Sequence, residues 1–148
     1  MINPENKSAS WIGLNIGAMS TVFYIIGNII ANFFKDMSII SIAITLLFIW
    51  LGTVLGSNYI AKRAIVQKDL VNKYSFISTL PPFLYILVVG SLVEIFIGMG
   101  TSVSFSFFSG TVIVLTQLLI AIIVVVVTYI TARYKLQKLA ATPQSPAN

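Results

Sequence analysis

The 148-residue chain contains no cysteine and no histidine. Those two absences remove disulfides, Cys- and His-based catalysis, and the commonest zinc, haem and iron–sulfur ligands. Acidic residues are nearly as scarce, since Glu5, Asp36, Asp69 and Glu94 are the whole set. They fall on both expected membrane sides and in the interior, so no acid/base pair assembles within one chain. A phosphate cradle is missing too: "GMG" at 98–100 runs into "TSVSFS", with neither a third glycine nor a Lys-Ser/Thr pair. No catalytic residue, cofactor-binding residue or metal ligand is expected, and the chain reads as a non-enzyme.

Charge of either sign is thin. Only 9% of residues are charged and 57% are hydrophobic, against about a quarter charged in an average soluble domain. The composition is that of a membrane protein. Four apolar stretches stand out, at about 11–34, 39–61, 81–100 and 111–132. Each is long enough to cross a bilayer as a helix. Runs such as "LLIAIIVVVVTYI" do not alternate in polarity, which argues against the strands of a barrel. The expected fold is an all-α, four-helix transmembrane bundle of two antiparallel hairpins. It forms one domain over 1–139, followed by a disordered Pro- and Ser-containing tail at 140–148. The first stretch holds Asn15, Asn28 and Asn32 and has no small-x-small cleavage site after it, so it is expected to be a retained span and not a cleaved signal.

Orientation follows from the basic residues. Lys7, Lys62, Arg63, Lys68, Lys73, Arg133, Lys135 and Lys138 lie on one side of the expected topology and only Lys35 lies on the other. The positive-inside rule then places both termini in the cytoplasm and suits a bacterial inner membrane. The net charge of +5 is expected to meet anionic lipid headgroups and not nucleic acid, because the charges are spread over three segments with no motif around them. Between the second and third stretches, Val66, Leu70 and Tyr74 recur every four residues. That spacing predicts a short amphipathic helix lying at the lipid interface.

A faint internal repeat is visible. "NYIAKRAIVQK" at 58–68 and "TYITARYKLQK" at 128–138 match at an offset of 70, which would make the chain a tandem of two helical hairpins.

Candidate functional residues lie on the helix faces. Glu94 is the one carboxylate inside an apolar stretch, and no Lys, Arg or His lies in any of the four to pair with it. A charge at membrane depth costs on the order of 2.5–3.5 kcal/mol on insertion scales. Inside the bundle Glu94 is therefore expected to be uncharged and hydrogen-bonded, on a face shared with Gly90, Ser91, Gly98 and Thr101; the alternative, since it is the fourteenth residue counted from Pro81, is an interfacial acid within reach of water. A polar stripe on the first stretch, Gly17, Thr21, Tyr24, Asn28 and Asn32, is the expected counterpart, and Glu94, Ser91, Asn28, Tyr24 and Asn32 form the candidate polar site. Gly17, Gly52, Gly56, Gly90 and Gly98 are the expected close-packing positions.

Two functions are compatible with this reading. One is an accessory, assembly or scaffold protein whose small-residue faces engage other membrane subunits or a second copy. The other is a small oligomeric transporter, coupled to protons or cations through Glu94. In gross plan, four helices and one intramembrane acid, the second is similar to the small multidrug resistance transporters. Their acid lies on the first helix and here it lies on the third, with no shared motif.

Overall fold

The computed structural model describes residues 8–34, 38–93, 95, 96 and 107–141, and every regular element among them is helical. Four stretches are long and apolar enough to cross a membrane: Ala9–Phe34, Ile39–Ala61, Lys68–Val93 and Thr111–Ala141. Helix α1 (Ala9–Ala31) starts at Ser8, whose Oγ accepts from the Trp11 amide at 3.2 Å, an N-cap that satisfies one orphan donor. It ends in a 3₁₀ turn, Asn32–Phe34, and α2 (Ser38–Ala61) returns antiparallel to it.

The α1–α2 pairing rests on a reciprocal arrangement of glycine and phenylalanine. "FYIIG" in α1 and "FIWLG" in α2 both place a Phe four residues before a Gly. A Cβ on Gly27 would stand 2.8 Å from Phe48 Cβ, and one on Gly52 would stand 2.7 Å from Phe23 Cβ. Each ring is seated where the opposing helix has no side chain, and the rings themselves meet with centroids 6.3 Å apart. In lipid, where hydrophobic association is weak, such close approach is the main source of pairing energy.

The third stretch is a composite. A 3₁₀ turn, Lys68–Leu70, leads into α3 (Val71–Ser78), then α4 (Leu80–Leu84), then a π-helical segment, Tyr85–Gly90. Pro81 and Pro82 sit in the first turn of α4 and cannot donate to the carbonyls of Ile77 and Ser78, so α3 and α4 are separate helices. The hydroxyls of Ser75, Ser78 and Thr79 donate to the carbonyls of Val71, Ser75 and Phe76 at 2.7–2.8 Å. The helical path thus begins well before Pro81, where the apolar stretch alone placed it. Helix α5 (Phe107–Ala141) has 35 residues and is about 52 Å long at 1.5 Å per residue, longer than the ~30 Å hydrocarbon core. It runs about two and a half turns past the expected end at 132.

The segment expected to lie as an amphipathic helix on the lipid surface is built differently. Residues 62 and 63 turn and the path through 65–67 is not helical, with Ala64 and Val66 buried and Ile65 and Gln67 exposed, the alternation of an extended chain. Val66, Val71 and Tyr74 are buried against Ile12, Ile16, Ile60, Ala132 and Leu136, and Leu70 packs on this cluster. The apolar side of the linker therefore closes one end of the bundle, because helix ends from α1, α2 and α5 bury Tyr74 more completely than a headgroup layer could. Lys62, Arg63, Lys68, Lys73 and Arg133 stay exposed around that end, with the Arg63 guanidinium 4.6 Å from the centre of the Tyr59 ring. We call it the basic end, and the α1–α2 turn marks the opposite, hairpin end.

The repeat-like segments at 58–68 and 128–138 adopt different backbones. The first leaves the helix at Ala61 and the second stays helical to Ala141. Ile60 is fully buried and its counterpart Ile130 is 61% exposed, whereas Val66 and Leu136 enter the same core.

Candidate functional site

Three polar features lie inside the described bundle. The first is a hydroxyl cluster midway along it, where Thr53 Oγ1 donates to Ser20 Oγ at 3.3 Å and Ser20 Oγ and Thr128 Oγ1 share a hydrogen bond of 3.3 Å. All three side chains are fully buried. Thr53 Oγ1 also reaches the Ile49 carbonyl at 2.9 Å, and Ser57 Oγ donates to the Thr53 carbonyl at 2.8 Å. The cluster joins α1, α2 and α5 through one serine. Thr53 shares its one proton between the Ile49 carbonyl of its own helix and Ser20 Oγ, and Ser20 has lone pairs enough to accept it while also bonding to Thr128.

The second feature surrounds Ser91. It follows directly on the π segment, and its buried Oγ has no hydrogen-bond partner among the described residues. A buried, unpartnered hydroxyl costs about 1–3 kcal/mol, and π segments recur at functional positions. The neighbouring Gly90 lies against α5, where a Cβ would stand 3.0 Å from Gln117 Oε1. Gln117 is itself buried.

The third feature is the α1 stripe. Tyr24 is buried and meets Tyr85 of the π segment edge-on, with centroids 6.2 Å apart and ring planes at 75°. That contact ties α1 to the third stretch. Thr21 Oγ1 donates to the Gly17 carbonyl at 2.9 Å, and Asn28 Nδ2 donates to the Tyr24 carbonyl at 3.1 Å. Asn32 is exposed, in the 3₁₀ turn. Tyr24 and Asn28 also line a cavity of about 330 Å³ at the hairpin end, between α1, α2 and α5.

The sequence-derived positions thus divide. Tyr24 and Asn28 come together, the Asn32 backbone N–H bonds to the Asn28 carbonyl while its side chain is exposed, and Ser91 lies beyond the π segment. Glu94, Gly98 and Thr101 lie outside the described residues. Among the glycines, Gly52 and Gly56 face α1 at Met19, with Gly52 also against Phe23 and Gly56 against Ile16. Gly17 faces the Ser78 carbonyl and Pro81, where a Cβ would stand 2.7 Å from Pro81 Cδ.

Sequence reasoning passed over Gly13, which lies against Ile77 and Tyr74 and makes a small-xxx-small pair with Gly17, although the spacing "GLNIG" was there to be read. It also passed over Ser20 and Thr53, whose partners lie 108 and 33 residues away along the chain.

Comparison with family models, with curated proteins and with solved structures returns no match. The class rests on the chain itself: a helical integral membrane protein with four stretches able to span a bilayer. Among the described residues the buried polar groups are hydroxyls and the Gln117 amide.

Proposed function

We propose that this protein is a non-catalytic accessory or assembly component of a membrane complex. It resides in the bacterial inner membrane with both termini in the cytoplasm, and its helix faces dock on other subunits or on a second copy. The observation that carries the reading is the internal use of its polar side chains. Ser20, Thr53 and Thr128 bond to one another, and Thr21, Asn28, Ser57, Ser75, Ser78 and Thr79 bond to backbone carbonyls. The first three join α1, α2 and α5, the others are satisfied within their own helical segments, and side chains spent in these ways leave little to line a solute pathway. The exposed basic residues at one end suit anionic lipid headgroups.

Cross-linking in native membranes followed by native gel electrophoresis is expected to place the chain in one assembly of defined size with another membrane subunit or itself. A monomer at every cross-linker concentration would overturn the reading.

A second reading, the Glu94-dependent transporter, is favoured by the orphan hydroxyl of Ser91, three residues before that acid in the chain. Glu94→Gln keeps the hydrogen-bonding shape and removes the titratable proton, while Glu94→Ala removes both. In proteoliposomes a transporter loses pH-driven flux in the Gln variant with the fold intact. An accessory protein keeps its assembly in the Gln variant and shows no such flux in the parent.

A further inference from the structure

We infer that the cavity at the hairpin end binds a neutral acyl lipid that carries a free hydroxyl. The polar lining is weighted toward hydrogen-bond acceptors. Ser41 Oγ donates its only proton to the Ala31 carbonyl at 3.1 Å, and Thr45 Oγ1 donates its own to the Ser41 carbonyl at 3.1 Å. Asn28 commits one N–H to the Tyr24 carbonyl. What Ser41, Thr45 and Asn28 still offer is lone pairs on the two hydroxyls and on Asn28 Oδ1, together with the second N–H of Asn28. A hydroxyl, which both donates and accepts, matches that set. An uncharged occupant fits, because among the described residues no Lys, Arg, Asp or Glu lines the cavity and an ionic head would be desolvated without a counter-charge.

The rest of the wall is apolar, and its rim points to the source of the occupant. Ile42, Leu119 and Ile123 are 60%, 63% and 46% exposed. In a spanning bundle such residues face acyl chains, so the mouth opens sideways into the bilayer. Asn28 lies in the last turn of α1 and Ser41 in the first turn of α2. The acceptors therefore sit near the helix ends, where the hydroxyl of a glycerolipid or long-chain alcohol resides, with the chain directed toward Leu119 and Ile123. A volume of about 330 Å³ stands at the lower end of the range for small-molecule sites, roughly 300–1,000 Å³, and suits one chain.

The test uses the full-length protein in phosphatidylcholine vesicles and a dodecanol with a mid-chain diazirine. Its methyl ether, which has the same length and no donor, is the comparison. After irradiation, labelled peptides are expected to map to 41–46 and 119–124. The ether is expected to label them roughly three- to tenfold less, the ratio of one net hydrogen bond. Ser41→Ala with Thr45→Val removes two acceptors and is expected to erase that preference for the alcohol. Ile123→Trp, at the exposed mouth, is expected to abolish labelling, with an unchanged melting temperature as the control for folding. If the Trp variant does not fold, the Ser41/Thr45 pair decides alone.

Competition by a monoacylglycerol within the bilayer supports a lipid source, whereas competition only by a short water-soluble alcohol overturns it. Equal labelling by alcohol and ether, or labelling scattered over the lipid-facing surface, overturns the proposal.

Discussion

Ser20 is the residue on which three helices converge. Its hydroxyl accepts from Thr53 and shares a bond with Thr128, all in a fully buried setting. Polar contacts of this kind within membranes average about 0.6 kcal/mol and reach about 1.7 kcal/mol. Ser20→Ala breaks two of them, and Thr53 keeps its bond to the Ile49 carbonyl. A loss of about 1 kcal/mol is expected, read from denaturant unfolding in mild detergent. A double-mutant cycle with Thr128→Val is expected to give a coupling energy distinct from zero, while a cycle between Ser20 and the distant Ser75 is expected to give none.

Glycines set the element scale, and they do not all carry the same weight. A methyl group at Gly17 meets a backbone carbonyl, that of Ser78, and the ring of Pro81, neither of which can turn aside. One at Gly90 meets the end of the Gln117 side chain, which can rotate. Gly17→Ala is therefore expected to cost about 1–3 kcal/mol, the usual range for overpacking, and Gly90→Ala well under half of that, both measured as shifts in unfolding midpoint. Comparable losses at the two positions would mean that Gln117 is held as rigidly as a backbone. The Phe–Gly exchange between α1 and α2 belongs to the same scale. Gly52→Ala would push into Phe23 Cβ and the Met19 carbonyl, the latter 2.8 Å from the added atom.

At the scale of the whole molecule the two ends differ. The basic end is closed by a core that draws on α1, α2, α3 and α5 together, with Leu136 fully buried beyond the expected end of the last span. Leu136→Ala is expected to cost about 2–5 kcal/mol, as for other buried leucines, although hydropathy alone would place the residue outside the membrane. The distribution of basic residues makes a second prediction. Single cysteines at Ser8, Asp36, Lys68, Ser106 and Ser145 are expected to react with an impermeant reagent added to intact cells only at Asp36 and Ser106. Labelling of Ser145 from outside would reverse the topology.

The membrane class and the number of spanning stretches were determined by the sequence alone, because mean apolarity over about 20 residues answers both questions without reference to any partner. The candidate glycines were legible as well, since four-residue spacing places two of them on one face whatever that face meets. Which face meets which helix was decided only by the tertiary structure. Helix α5 is apolar around almost its whole circumference, so its pattern carries little information about rotation, and Thr128 came to face Ser20 through packing between segments far apart in the chain. The linker shows the same limit. Val66, Leu70 and Tyr74 fit a surface helix by their spacing, but α1, α2 and α5 end together at a height that only their packing sets, and the gap they leave is filled by that apolar face.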